Sequence, residues 1–175
     1  MEIREEYGDW TPPATFRQSV ERLLKYVPQQ YLLGIDAIWL TDSRTLNRAR
    51  RRQRTRVRGR RVRLSESSGL YHAAWKGQPA WIELFADRMV EGHFGLQSRM
   101  RMARDLAVGE TLFHEIGHHI HKTKYPQHEE PEEVADRWKG KLLGRFLRRR
   151  YWYLVPPVFI LRPLWNLIER RWGPF

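Results

Sequence analysis

Residues 104–122 read RDLAVGETLFHEIGHHIHK, and this stretch decides the fold. Apolar side chains recur through it at helical intervals, at Leu106, Phe113, Ile116 and Ile120. Only Gly109 and Gly117 are poor helix formers inside it. The pattern predicts a long helix that ends near Lys122.

Residues 114–118 of this helix form the motif His-Glu-Ile-Gly-His. Because His114 and His118 are four residues apart, a helix places their Cβ atoms about 6 Å apart on one face. Both imidazoles can then reach one metal ion. Glu115 lies beside them and is expected to act as a general base towards a water molecule. Composition alone can produce such a string, but its place within a helical pattern favours a metal site.

A catalytic zinc takes three protein ligands and leaves one position for water. The extended motif with a third histidine, as in the metzincins, fails because position 124 is Lys124. The acidic segment 129–136 follows instead. Pro131 and its neighbouring carboxylates predict a second helix that starts near residue 130. A carboxylate of this segment is therefore the expected third ligand.

Helix geometry indicates which carboxylate it is. If the second helix returns alongside the first, Glu132 faces the metal. Asp136 lies four residues further on the same face, where it can accept the free imidazole N–H of His114. Glu129 and Glu133 are the alternatives, and Glu133 is expected to be exposed.

His114-Glu115-x-x-His118 followed by Glu132-x-x-Ala135-Asp136 resembles the gluzincin metallopeptidases, and the short minigluzincins among them most closely. The resemblance covers residues 104–143 and, in outline, 70–143. It implies a Zn²⁺ site at His114, His118 and Glu132, Glu115 as the base, and Asp136 as the hydrogen-bond partner of a ligand. Only thirteen residues separate His118 from Glu132, a short interval for gluzincins.

The resemblance also implies a sheet over the motif helix, with an edge strand that runs antiparallel to a bound peptide. Strand 80–85 is predicted to be that edge, and a plain core strand is the alternative. The predicted substrate-binding residues are Trp81, Ile82, Glu83 and Leu84. Tyr71, His72, Tyr125 and His128 are equal candidates for stabilising an oxyanion.

Length and the other patterns predict an α+β fold with one domain over residues 1–150, which the resemblance implies is metallopeptidase-like. Apolar residues at helical spacing before Pro28 predict an N-terminal helix. Residues 35–40 predict a strand, and residues 69–75 and 80–85 predict a hairpin. We expect a small antiparallel or mixed sheet of about three strands, packed on the N-terminal helix, the motif helix and the glutamate helix.

The net charge of +12 is concentrated between Arg44 and Arg63, where eleven arginines occur without a carboxylate. Residues 44–66 are predicted to form a solvated, arginine-rich loop. Contact with nucleic acid or anionic lipid through Arg44–Arg63 is the second interpretation. No aromatic residue lies within this run, so the run itself does not favour single-strand recognition.

Residues 151–175 are aromatic and basic, and three prolines and Arg162 interrupt their apolar runs. A transmembrane helix is not expected there. The segment could pack on the domain, dock at a membrane interface or lie across the active-site cleft. The acidic N-terminus and the absence of cysteine predict a cytoplasmic protein, with peripheral membrane contact as a second option.

The functional prediction is zinc-dependent hydrolysis of peptide bonds in a peptide or protein substrate, with Glu115 as the general base. The first alternative is a non-catalytic zinc-binding module whose basic surface binds nucleic acid or anionic lipid. A metal hydrolase that acts on non-peptide amides is the second alternative. The sequence does not specify the substrate or the oligomeric state.

Overall fold

The computed structural model describes residues 1–57, 60–93, 100–127 and 132–154. The strands are β1 (Glu2–Glu6), β2 (Ile35–Thr41), β3 (Arg54–Val57), β4 (Arg60–Arg63), β5 (Gly69–His72) and β6 (Ala80–Phe85). The helices are α1 (Thr15–Leu24), α2 (Arg48–Arg52), α3 (Ala86–His93), α4 (Arg101–Lys124) and α5 (Glu132–Arg150). The predicted α+β class is confirmed.

Four strands form one mixed sheet in the order β1-β2-β6-β5. The β1–β2 and β2–β6 pairs are parallel, and β5 and β6 form the predicted antiparallel hairpin. β1 is the strand that the sequence prediction of about three strands omitted. Its residues, EIREE, are mostly exposed and charged, so they lack the apolar alternation that identifies a half-buried strand.

β6 lies in the interior of the sheet, between β2 and β5. Ile82 and Leu84 are fully buried, and Glu83 is 3% exposed. The prediction that Trp81, Ile82, Glu83 and Leu84 contact a peptide along a sheet edge is therefore wrong. The edge strand beside the motif helix is β5, the other strand of the hairpin.

α4 is the central helix of the fold. It packs against β5 and β6 on one side and against α1 and α5 on others. Val108, Leu112, Ile116 and Ile120 recur every four residues along α4 and are buried. Every fourth residue falls on nearly the same face of a helix, so this stripe joins the core. From α1, α3 and α5, the same core receives Phe16, Val20, Leu23, Met89, Leu142 and Phe146.

The arginine-rich segment contains regular structure, so its prediction as a loop is wrong. It folds into α2 and a separate two-stranded sheet of β3 and β4. The Asn47 side chain caps α2 by accepting a hydrogen bond from the Arg50 backbone N–H at 2.8 Å. Leu46 and Leu64 are buried with Phe85 in a small second core, which attaches the segment to the sheet.

The described part of the C-terminal region ends in a short 3₁₀ helix, Trp152–Leu154. Tyr151 is buried and packs edge-on against Phe146, with ring centroids 5.7 Å apart. Residues 155–175 lie outside the described residues, and the three interpretations of that segment stay predictions. Within the described residues, no helix is both long and apolar enough to cross a membrane.

Candidate metal centre

The site lies where α4 and α5 approach each other closely, at Gly117 and Ala135. A Cβ atom added to Gly117 would lie 2.7 Å from the Ala135 carbonyl oxygen and 2.9 Å from its Cα atom. Real side chains do not tolerate such distances to backbone, so glycine at position 117 permits the contact. Gly117 lies between the two motif histidines, and Ala135 lies one turn after Glu132. These two small residues therefore bring the Glu132 turn beside both histidines.

Three side chains converge at this contact: His114, His118 and Glu132. The Nε2 atoms of the histidines are 3.1 Å apart. The Glu132 carboxylate oxygens lie 3.3 Å from Nε2 of His114 and 3.8 Å from Nε2 of His118. The three side chains are between 12% and 18% exposed, so the cluster lies in a largely enclosed position.

These separations are short enough for the three side chains to share one metal ion. Bonds of 2.0–2.1 Å from a central zinc would place tetrahedral ligand atoms about 3.3 Å apart. The two imidazole nitrogens are 3.1 Å apart, and Oε2 of Glu132 lies 3.3 Å from Nε2 of His114, while its other oxygen, Oε1, lies 3.8 Å from Nε2 of His118. Two imidazole nitrogens and one carboxylate form a donor set suited to a divalent transition metal. The residues are thus positioned to hold a metal ion with three protein ligands.

Asp136 orients one of the ligands. His114 donates its Nδ1–H to Asp136 Oδ1 at 3.0 Å, which leaves the Nε2 lone pair directed at the cluster. This is the contact that helix geometry predicted. The Asp136 carboxylate also binds Lys139 Nζ at 3.0 Å, and Lys139 Nζ lies 3.2 Å from the Glu110 carboxylate on α4. Sequence reasoning missed Lys139 and Glu110, although the spacing of Asp136 and Lys139 on one helical face was a usable signal.

The protonation states suit metal binding. Burial lowers the pKa of His114 below its ordinary value, and the charge of nearby His118 lowers it further. The opposite effects of Glu132 and Asp136 are smaller. Burial alone would raise the pKa of Asp136, but the hydrogen bond and charge of Lys139, together with His114, lower it. A neutral imidazole hydrogen-bonded to an ionised carboxylate is the state that a metal-ligating histidine requires.

Glu115 points towards β5. Glu115 is 7% exposed. A Cβ atom added to Gly69 would lie 3.2 Å from Oε1 of Glu115 and 2.6 Å from Cγ2 of Thr111. The carboxylate of Glu115 therefore packs against the backbone of the edge strand at a residue without a side chain. It lies next to His114 in the chain and on the side of α4 that faces the sheet edge.

The other candidate side chains are distributed over both faces of β5. Tyr71, two residues from Gly69, shares its face and lies with its hydroxyl 3.2 Å from Nδ1 of His119. Nε2 of His119 lies 2.8 Å from the carbonyl oxygen of Leu33, so it carries the proton and Nδ1 accepts from Tyr71. His72 stacks on Trp81, on the face of the sheet that points away from α4, so it lies away from the metal centre.

Two further candidates can be compared on the helices. Tyr125 is 54% exposed at the end of α4. The alternative ligand Glu133 is exposed on α5, as expected, and is not part of the cluster. Glu129 and His128 lie outside the described residues. Of the acidic residues that the structure describes, Glu132 is therefore the one that joins the two histidines.

Comparisons of the chain with models of known protein families, with curated proteins and with solved structures gave no match. A functional assignment therefore depends on the geometry of the site.

Proposed function

We propose that the chain is a zinc metallopeptidase of the gluzincin type, which hydrolyses peptide bonds. The observation that carries this proposal is the convergence of ligand atoms of His114, His118 and Glu132 within 4.8 Å of one another, with Glu115 on the helix of the two histidines. The sequence resemblance to gluzincins also supports it. That resemblance implies that Asp136 is the hydrogen-bond partner of a ligand, and Asp136 accepts a hydrogen bond from His114. The enclosed, three-ligand donor set also favours zinc over magnesium or calcium, which prefer oxygen ligands.

In the proposed reaction, His114, His118 and Glu132 hold the zinc ion, and Asp136 holds His114 in the ligating tautomer. A bound zinc supplies Lewis acidity towards water and towards a carbonyl oxygen. Glu115 takes the proton from the attacking water and returns it to the amine that leaves. Burial of Glu115 against Gly69 holds its carboxylate in place between α4 and the sheet edge.

The peptide would lie along β5. Within the described residues, β5 pairs with β6 on one side only, so a peptide strand would add on its other side, where it would replace the hydrogen bonds between the Ser67 hydroxyl and the backbone of Gly69. Gly69 of β5 packs against Glu115, so a peptide on this edge would pass close to the base. Tyr71 shares the site face of the strand, but its hydroxyl proton is donated to Nδ1 of His119, so a bound zinc is the group that we propose for stabilising the oxyanion.

Three single variants of matched size test the proposal. Glu115→Gln should bind zinc like the wild type. Its rate of casein cleavage should fall by at least about 100-fold, because the proton acceptor is lost. Glu132→Gln should lose both zinc and cleavage. Glu133→Gln, which changes the exposed neighbour, should keep both. Metal analysis of the purified proteins and a casein digest measure these properties.

Wild-type cleavage by Glu115→Gln would remove Glu115 from the mechanism. Stoichiometric zinc in a His114→Ala/His118→Ala double variant would refute the metal centre itself. A protein that binds zinc at this centre without cleaving any substrate, and excludes exogenous ligands from the metal, would favour the non-catalytic module. A structural zinc is normally closed by a fourth protein ligand, which blocks such access.

A further inference from the structure

The face of the sheet opposite α4 carries two tryptophans on its central strands. Side chains alternate between the two faces of a strand. Ile82 and Leu84 of β6 point into the core, so Trp81 points away from it. Trp39 of β2 lies on the same face, and the two indole rings meet edge-on with centroids 6.1 Å apart. Both tryptophans are partly exposed.

The outer strands extend this pair into a row. His72 of β5 stacks on Trp81, with ring centroids 3.6 Å apart and planes inclined by 8°. The guanidinium carbon of Arg4 on β1 lies 5.4 Å from the ring centroid of Trp39. Each of the four strands thus contributes one planar side chain to a platform that crosses the sheet.

The platform borders a cavity of about 500 Å³, whose lining includes Arg4, Trp39, Trp81 and Arg50. This volume lies within the range of sites that hold small organic groups. The cavity is separate from the metal centre, because the sheet lies between the platform and α4. A role for this face is therefore independent of the proposed peptidase.

The carboxylates near the platform are largely compensated. Glu83 binds Arg50 at 2.7 Å and His72 at 3.1 Å. Asp36 lies 3.7 Å from Arg4. Two of the three carboxylates that line the cavity are therefore paired, and the same contacts compensate Arg4 and Arg50. The lining has no net positive charge, so the attraction of an anion depends on the exposed arginines beside the cavity.

Helix α2 of the arginine-rich segment lies beside this cavity. Arg50 of α2 reaches into the lining, and Arg48, Arg51 and Arg52 of the same helix are exposed. Segment 44–63 carries eleven arginines and no carboxylate, which accounts for all but one unit of the net charge of +12. A positive field next to aromatic platforms complements a flexible polyanion that carries flat, uncharged rings.

We propose that this sheet face binds single-stranded nucleic acid, with bases stacking on Trp39 and Trp81 and phosphates attracted by the exposed arginines of α2, Arg48, Arg51 and Arg52. Unpaired bases are needed, because bases within a duplex are stacked on each other and cannot lie on the indoles. The arginine run has no aromatic residue of its own. The fold supplies the aromatic residues from β2 and β6.

Fluorescence anisotropy with three labelled probes tests the proposal on the full-length protein. The probes are an oligothymidylate of about twelve nucleotides, an abasic strand of equal length and a duplex of equal length. The oligothymidylate should bind most tightly, because only it has both phosphates and accessible bases. All affinities should fall as salt is raised from about 50 to 200 mM.

Leucine variants separate stacking from charge. Trp39→Leu and Trp81→Leu keep apolar bulk and should each weaken oligothymidylate binding about tenfold, with little effect on the abasic strand. Trp152→Leu is the matched control, since Trp152 is 67% exposed beyond α5, and it should bind like the wild type. Circular dichroism establishes that each variant is folded.

If a leucine variant does not fold, tryptophan fluorescence of the wild type tests whether bases stack on indole rings, as a signal summed over the eight tryptophans of the chain. Oligothymidylate should quench the emission, and the abasic strand should not. Equal binding of all three probes, wild-type affinity in both leucine variants, or binding to anionic phospholipid vesicles alone would each overturn the proposal.

Discussion

Gly117→Ala should weaken zinc binding without touching a ligand. The added Cβ atom would lie 2.7 Å from the backbone oxygen and 2.9 Å from the Cα atom of Ala135. A backbone cannot rotate away as a side chain can, so α5 has to move by roughly 0.7 Å to reach an ordinary contact distance. Glu132 lies one turn before Ala135 on the same helix and moves with it.

The movement acts on a carboxylate whose oxygens lie 3.3 and 3.8 Å from the two imidazole nitrogens. Zinc bonds vary by only about 0.2 Å, so a displacement of this size distorts the centre. We expect zinc affinity to fall about 10- to 100-fold, the range seen when a group that orients a ligand is lost. The crowded methyl group should destabilise the metal-free protein by about 1–3 kcal/mol, and the higher helix propensity of alanine should stabilise it by about 1 kcal/mol. Its free energy of unfolding should therefore fall by at most about 2 kcal/mol.

Competition with a chromophoric chelator measures the zinc affinity, and urea unfolding of the metal-free protein measures its stability. Gly140→Ala is the matched control, because a Cβ atom at this position of α5 meets no atom within 4 Å. That variant should gain up to about 1 kcal/mol of stability and keep its zinc affinity. Wild-type zinc affinity in Gly117→Ala would refute the argument that the helix contact sets the position of Glu132.

Asp136→Asn should lower zinc affinity about 10- to 100-fold in the same chelator assay, because the ionised acceptor of His114 is lost; an unchanged affinity would contradict this role. Asp105→Asn should lower the free energy of unfolding in urea by about 3 kcal/mol, since Asp105 is fully buried and pairs with Arg22 at 2.7 Å. A decrease below about 1 kcal/mol would count against a stabilising role for this pair. Burial acts to raise the pKa of Glu83, but hydrogen bonds from a histidine and an arginine lower it below its usual value. Ionised Glu83 therefore stabilises the folded protein above about pH 4.3, and this contribution is lost as the pH falls through the lowered pKa. The melting temperature of Glu83→Gln should therefore fall less steeply with acidification than that of the wild type. An identical fall in both proteins would be evidence against this role of Glu83.

Local sequence was sufficient for the parts of the site that lie on one or two helices. The interval between His114 and His118 places both on one helical face wherever the helix lies. The interval between Glu132 and Asp136 likewise assigned one carboxylate to the cluster and the other to His114. These relations depend on the helical repeat, which a sequence displays directly.

The order of the strands in the sheet could not be predicted from local sequence in the same way. β6 was predicted as an edge, yet it pairs with β2, more than forty residues earlier in the chain, and with β5. A strand's neighbours depend on which distant segments bury its faces best, and its own alternation does not encode them. For the same reason β1 was missed, since its exposed residues pair with β2 at the opposite edge.

The sequence by itself determined the metal-binding motif, the helices that carry it and the concentration of positive charge in segment 44–63, because these follow from short intervals and composition. Only the tertiary structure decided that β5 is the edge beside Glu115 and that Trp39 and Trp81 form a platform near Arg50. Both arrangements join residues that are far apart in the chain. The pairing of distant strands and the packing of side chains on the sheet bring them together.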